Sequence, residues 1–166
     1  MNDSMTQLYQ QVILDHARER HGYGLLAPHA AESFQVNPTC GDEIRLRVHL
    51  DTAGTAPVIT QVSWEGVGCS ISQASASVLA DLVRQVDVAE ADRLAETFRA
   101  LMNNRGRSLS ADQDEMLGDA AAFTGVAQYP ARIKCALLGW MALRDALAHA
   151  LTTAPAEEKN GMNNND

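Results

Sequence analysis

The chain has 166 residues, of which 13 are Lys or Arg and 21 are Asp or Glu, so its net charge at pH 7 is −8. Binding to a phosphate backbone requires clustered positive charge, and this balance argues against a nucleic-acid partner. No apolar run approaches the roughly 20 residues that cross a bilayer, so no membrane association is expected. The length fits one compact domain that folds without disulfides.

The chain contains three cysteines, an odd number that does not suit a disulfide framework. The first residues are polar, so no secretory leader is expected. We therefore expect a cytoplasmic protein, because a reducing compartment leaves thiols free for metal or sulfur chemistry.

The first 64 residues are expected to form one helix and a small sheet. Apolar residues recur at helical spacing over residues 3–20, and Gly and Pro then break the pattern before a short strand over 33–36. Apolar and polar residues alternate over 44–50, which predicts a strand with one buried face. A turn-rich segment connects it to a partner strand over 58–64, so these two strands are antiparallel.

The remainder of the chain is expected to be helical. Apolar spacing predicts helices over residues 71–83 and 94–102, a short helix capped by Ser110 that extends through 122, and a long helix over 131–148. Residues 1–153 would then form a single domain. The polar, Asn-rich tail of residues 154–166 is expected to be disordered.

Each cysteine lies in a different short motif. The motifs are Asn37-Pro38-Thr39-Cys40-Gly41-Asp42, Gly66-Val67-Gly68-Cys69-Ser70 and Arg132-Ile133-Lys134-Cys135-Ala136. Three thiolates and the carboxylate of Asp42 complete a tetrahedral shell for zinc. Any one of these cysteines could instead be an inert buried side chain. Their Gly, acidic and basic neighbours together favour shared metal or sulfur chemistry.

The expected positions of the thiols suggest different roles. Cys69 and Cys135 fall near predicted helix starts, where the helix dipole stabilises negative charge, so both are expected to ionise readily. Cys40 falls in a loop between Pro38 and Gly41, a place for a mobile ligand.

Other polar side chains carry less functional signal. His16 lies on the apolar side of the first helix and is expected to be a hydrogen-bonded core histidine. His49 alternates outward on its strand, away from the cysteines. Arg45 and Arg47 are expected to form a solvated strand face, with docking of an acidic partner as the secondary interpretation.

The chain resembles the U-type iron–sulfur assembly proteins over about residues 5–152, and the SufU branch more closely than the IscU branch. The resemblance rests on the three cysteine motifs and on segments of the first and last helices: Leu8-Tyr9, Ile13-Leu14-Asp15-His16 and Ala136-Leu137-Leu138-Gly139-Trp140. IscU-like proteins have His where this chain has Lys134, and their second and third cysteines lie closer together.

The resemblance implies an α+β fold in which a small antiparallel sheet of about three strands packs against helices. It also implies a zinc ion held by Cys40, Asp42, Cys69 and Cys135. The implied function is a sulfurtransferase-like relay that activates a pyridoxal-phosphate cysteine desulfurase, takes its persulfide sulfur on Cys40 and passes it to downstream Suf cluster-assembly proteins. Arg132 would steady the Cys40 thiolate.

Two other interpretations of the same ligands remain open. Thiolates also suit iron, so the chain could be an IscU-like scaffold that assembles a [2Fe–2S] cluster. A purely structural zinc module is the third interpretation, but such modules use tight ligand sets such as Cys₄, and Asp42 fits that pattern poorly.

Overall fold

The computed structural model describes residues 3–163, with side chains described as far as residue 152. In chain order the elements are α1 (Asp3–Glu19), β1 (Ala31–Asn37), β2 (Asp42–Asp51), β3 (Val58–Val67), α2 (Ser70–Leu82), β4 (Val86–Asp87), α3 (Val88–Met102), α4 (Ala111–Leu117), a 3₁₀ helix (Gly118–Gln128) and α5 (Pro130–Asn163). Among the described residues, no helix is long and apolar enough to cross a membrane. The expected tail, 154–166, lies outside the described side chains and stays a prediction.

The strands form one antiparallel sheet in the order β1-β2-β3-β4. The sequence predicted about three strands, and the described residues contain four. The additional strand, β4, has two residues and pairs Val86 with Ile59. Such a short segment has no alternating pattern, so the sequence could not reveal it.

The inner face of the sheet packs against α5, and α2 packs between α5 and α1. Alternate residues of β2, Ile44, Leu46 and Val48, are at most 4% exposed, as their period-two pattern predicted. Trp64 on β3 and Trp140 on α5 are fully or almost fully buried in the same core. The α+β fold class is therefore confirmed.

The outer face of the sheet is partly covered by the segment between α1 and β1. His49 points to this face, as predicted, but it is buried there. Its Nδ1 donates to the carbonyl oxygen of Pro28 at 2.8 Å, and its Nε2 accepts from Ser63 Oγ at 2.8 Å. Burial holds the pKa of His49 below its ordinary value, with the contact to Pro28 opposing the shift.

Arg45 and Arg47 also lie on the outer face, where both pair with Glu32 of β1 at 3.0 and 2.8 Å. The hydrogen bond from Arg47, supported by Arg45, lowers the pKa of Glu32. These arginines therefore form a cross-strand charge network rather than a merely solvated face.

One predicted helix cap is present. Ser110 caps α4 through a capping box with Gln113, as predicted. Asp87 caps α3 by accepting from the backbone of Glu90, so α3 begins at Val88, earlier than the apolar spacing alone indicated. The predicted short helix through residue 122 is in fact α4 followed by the 3₁₀ helix, which begins at Gly118.

Candidate metal centre

Cys40 and Asp42 are placed by the tight connection between β1 and β2. Gly41 adopts a φ of +73°, a left-handed conformation that glycine tolerates without strain, and its N–H donates to the Asn37 carbonyl at 2.8 Å. Asp42 begins β2 and is only 2% exposed, whereas Cys40 is exposed at the loop. One turn therefore supplies both a buried carboxylate and an accessible thiol.

Cys69 occupies the N-cap position of α2. Its side chain makes no capping bond, so the sulfur is free to face Asp42, whose Oδ2 lies 3.8 Å away. The other carboxylate oxygen, Oδ1, accepts from the backbone N–H of Cys69 at 3.1 Å. The preceding Gly68 allows this approach, because a Cβ there would lie 2.6 Å from Oδ1 of Asp42.

Cys135 lies within the second turn of α5 and is 4% exposed. Burial raises the pKa of its thiol, and the hydrogen-bonding neighbours Asp42, Cys40 and Cys69 raise it further. The expectation that Cys135 ionises readily because of a nearby helix start is therefore wrong for the thiol on its own. Desolvation outweighs a helix dipole whose influence fades beyond the first turn.

Three of the four predicted residues, Cys40, Asp42 and Cys135, place their ligand atoms within 4.8 Å of one another, and Cys69 adjoins this group through Asp42, whose Oδ2 lies 3.8 Å from its sulfur. The Cys40 and Cys135 sulfurs are 3.3 Å apart, and Oδ2 of Asp42 lies 3.6 Å from the Cys40 sulfur. Sulfur and oxygen donors in one tetrahedral zinc shell are separated by about 3.5–3.8 Å. The spacing between Cys40 and Asp42 fits such a shell, whereas the two sulfurs lie somewhat closer together than one zinc ion would hold them. The distance of 3.3 Å excludes a sulfur–sulfur bond, which would be about 2.05 Å long. The donor set can therefore hold a metal ion.

A second group of donors, His16, His21 and Asp81, also lies close together. His16 is buried, with Nδ1 2.7 Å from Ser77 Oγ and Nε2 2.9 Å from Asp119 Oδ2. His21 Nδ1 lies 2.6 Å from Asp81. Nitrogen and oxygen ligands of one zinc ion are about 3.3 Å apart, so these shorter spacings are those of hydrogen bonds. His16 is thus a hydrogen-bonded core histidine, as predicted.

Arg132 is exposed in the first turn of α5, one turn before Cys135. Its guanidinium lies 5.1 Å from the ring centroid of Tyr129. Both residues line a groove of about 530 Å³ that also contacts α1 and reaches Ser70, the neighbour of Cys69. The side chain is near the site, but its described contact is with Tyr129 rather than with a thiol.

The side chains that support these donors were not among the residues predicted from the sequence. Ser75 of α2 donates to the Ala136 carbonyl at 2.6 Å and accepts from Trp140 at 3.1 Å, which ties the helix after Cys69 to the helix that contains Cys135. Asn37 contacts the sulfur of Cys40 at 2.8 Å. An Asn before Pro signals a turn, but nothing local indicated a contact with the thiol.

Fold and site together define a small α+β protein with three thiols and one carboxylate gathered at the edge of its sheet. Residues 8–136 match the family described as NifU-like N terminal domain. The chain belongs to this family.

The comparisons with individual proteins point to the same family. The chain is 38% identical to the zinc-dependent sulfurtransferase SufU of Bacillus subtilis, over 89% of this chain and 94% of that protein. It is 35% identical to the iron–sulfur cluster assembly scaffold protein IscU of Streptococcus pyogenes, over 94% and 92% of the two chains. The crystal structure of FiSufU from Fervidobacterium islandicum AW-1 matches with a TM-score of 0.71 and 30% identity, over 85% of this chain and 97% of that one.

Proposed function

We propose that this protein is a zinc-dependent sulfur acceptor that works in iron–sulfur cluster assembly in the cytoplasm. The observation that carries the proposal is the asymmetry of the site. Cys40 and Cys69 are exposed, whereas Asp42 and Cys135 are 2% and 4% exposed. A purely structural site would enclose all its donors. The similarity to a zinc-dependent sulfurtransferase supports the same function.

Cys40, Asp42, Cys69 and Cys135 would hold the zinc ion. When bound, zinc would supply the positive charge that keeps buried thiols deprotonated at neutral pH. Asp42 contributes an oxygen donor that suits zinc less well than a thiolate does, so it favours an exchangeable site. Cys40 is the donor best placed to leave, because it lies in a turn between two strands, whereas Cys69 is the N-cap of α2 and Cys135 lies within α5.

In the proposed reaction, the Cys40 thiolate attacks the outer sulfur of a persulfide on a pyridoxal-phosphate cysteine desulfurase. A sulfur–sulfur bond forms at Cys40, and the sulfur–sulfur bond of the donor breaks. The electron pair of that bond leaves on the cysteine of the desulfurase as a thiolate, and the persulfide proton stays on the transferred sulfur. Downstream Suf cluster-assembly proteins would then take the sulfur from Cys40.

We assign Arg132 the role of a counter-charge for the exposed thiolate or persulfide of Cys40. Its exposure and its place one turn before Cys135 support the assignment. The guanidinium would have to leave the ring of Tyr129 to act in this way.

The second candidate function is a scaffold on which a [2Fe–2S] cluster is assembled. The similarity to IscU of Streptococcus pyogenes favours it, and the same four ligands suit iron. Metal analysis and absorbance of protein purified without air separate the two functions. Zinc near one per chain without visible charge-transfer bands supports the sulfur acceptor, whereas iron with such bands supports the scaffold.

A further inference from the structure

Asn37 lies directly behind the thiol that we propose as the sulfur acceptor. It is the last residue of β1, it is 6% exposed, and it pairs in register with Asp42. Its side-chain Nδ2 lies 2.8 Å from the sulfur of Cys40. A buried amide therefore contacts an exposed sulfur across the β1–β2 turn.

The orientation of this amide is fixed by its other contact. Oδ1 of Asn37 accepts from the backbone N–H of Thr39 at 3.2 Å, as in an Asx turn. A rotated amide would place its NH₂ group against that N–H, leaving two donors face to face, so Nδ2 must face the sulfur. The amide consequently donates to Cys40.

The contacts of the other two sulfurs are different. The Cys69 sulfur lies 4.0 Å from Ser72 Oγ, and the Cys135 sulfur lies 3.6 Å from the Ala131 carbonyl, which can only accept. Among the described side chains, Cys40 alone has an amide N–H directed at its sulfur. A hydrogen bond to a thiolate withdraws electron density from it and makes it a weaker metal ligand.

We propose that Asn37 is a positioning residue that makes Cys40 the exchangeable ligand and holds its sulfur in the attacking orientation. This inference rests on the proposed function, because it gives Asn37 a role in sulfur acceptance. The anchor of the amide is the backbone of Thr39 and does not depend on a metal ion. The amide would therefore still be available to donate to the Cys40 thiolate if that ligand were released.

Two variants distinguish the effect of losing the amide donor from the effect of losing the Asx turn. Asn37→Ser keeps a side-chain oxygen that can accept from the Thr39 N–H but removes the amide donor, and Asn37→Ala removes both. Thr39→Ala is the matched control in the same loop, because the contact of Thr39 uses its backbone. If Asn37→Ala does not fold, Asn37→Ser still tests the proposal.

The first readout is the sulfur-to-metal charge-transfer band of protein loaded with Co²⁺. Loss of the amide should move this band to longer wavelength in both Asn37 variants and leave it unchanged in Thr39→Ala. The second readout is sulfur transfer from a cysteine desulfurase to the zinc-loaded protein. We expect kcat to fall about tenfold, the size of one hydrogen bond to a charged group, while KM for the desulfurase stays unchanged.

An unshifted band in Asn37→Ser would overturn the proposal, and so would a shifted band with wild-type kcat. If wild-type protein accepts no sulfur, the proposed function fails and the transfer role of Asn37 fails with it. The band position would still decide separately whether the amide contacts the metal-bound sulfur.

Discussion

Asp42 is the residue with two roles in the site. Its Oδ2 lies among the thiols, while Oδ1 accepts from the backbone N–H of Cys69 at the start of α2. The carboxylate therefore both offers a metal ligand and orients a second ligand.

We predict that Asp42→Ala retains metal but transfers sulfur poorly. Three thiolates can hold zinc with water in the fourth position, and without the carboxylate the site loses its weaker donor. The protein should activate a cysteine desulfurase at least about tenfold less well. Metal content and sulfur transfer, measured on one preparation, check this. Asp51→Ala at the far end of β2 is the control, and wild-type transfer in Asp42→Ala would show that the carboxylate is dispensable.

His49 predicts a pH dependence of stability. Because its pKa in the folded protein lies below the ordinary value of 6.5, its neutral form stabilises the fold above that pH. As pH falls below about 6.5, the unfolded chain binds the proton more readily and stability is lost. Below about pH 6.5, the free energy of unfolding should decrease less steeply with falling pH in His49→Gln than in the wild type. A His149→Gln variant, at an exposed position, serves as control. If the unfolding free energy depends on pH in the same way in His49→Gln and wild type, burial of His49 does not cause the loss of stability at low pH.

At the scale of elements, the turn between β3 and α2 sets the position of Cys69. Gly68 in this turn packs against the Asp42 carboxylate and Ser72 of α2, where an added Cβ would lie 2.6 and 2.5 Å from their oxygens. A side chain at position 68 would not fit, so the close approach of the start of α2 to Asp42 of β2 depends on glycine.

Gly68→Ala should therefore displace Cys69 relative to Asp42 and weaken zinc binding by roughly tenfold to a hundredfold, the range expected when a supporting group of a metal site is disturbed. Titration against a competing zinc chelator measures the change. Gly54→Ala, in the β2–β3 connection where a Cβ would meet only Ala56 O at 4.0 Å, is the matched control. Equal affinities for the Gly68 variant and the wild type would mean that the turn adapts freely.

Local patterns predicted most of the elements, because alternation and helical spacing are local properties. The apolar residues of β2 and the Ser110 cap of α4 appear where the sequence placed them. The burial of His49 could not be predicted, since the segment that covers it comes from another part of the chain. The two-residue strand β4 is too short to show a period.

At the scale of the whole molecule, the candidate site joins three separate parts of the fold. Cys40 and Asp42 come from the β1–β2 turn, Cys69 from the start of α2 and Cys135 from α5. The motifs predicted which residues would meet. They could not predict that Cys40 and Cys69 would be exposed while Asp42 and Cys135 are buried. That difference depends on how α5 packs against the sheet.

Removal of the metal should consequently destabilise the whole domain. Structural zinc contributes about 10–16 kcal/mol in small finger peptides, and a fraction of this is large against the roughly 5–15 kcal/mol by which domains are stable. Chelation should lower Tm, and added zinc should restore it. An unchanged Tm after complete removal of zinc would show that the metal site does not contribute to the stability of the domain.

Transfer of labelled sulfur tests the central claim most directly. Zinc-loaded wild type and Cys40→Ala are incubated with a cysteine desulfurase and cysteine carrying radioactive sulfur, and the label is mapped to cysteine-containing peptides after digestion under non-reducing conditions. We expect label on the Cys40 peptide of the wild type and none on Cys40→Ala, although that variant should keep zinc on its three remaining ligands. Labelling of Cys40→Ala at the wild-type rate would contradict the role of Cys40 as sulfur acceptor.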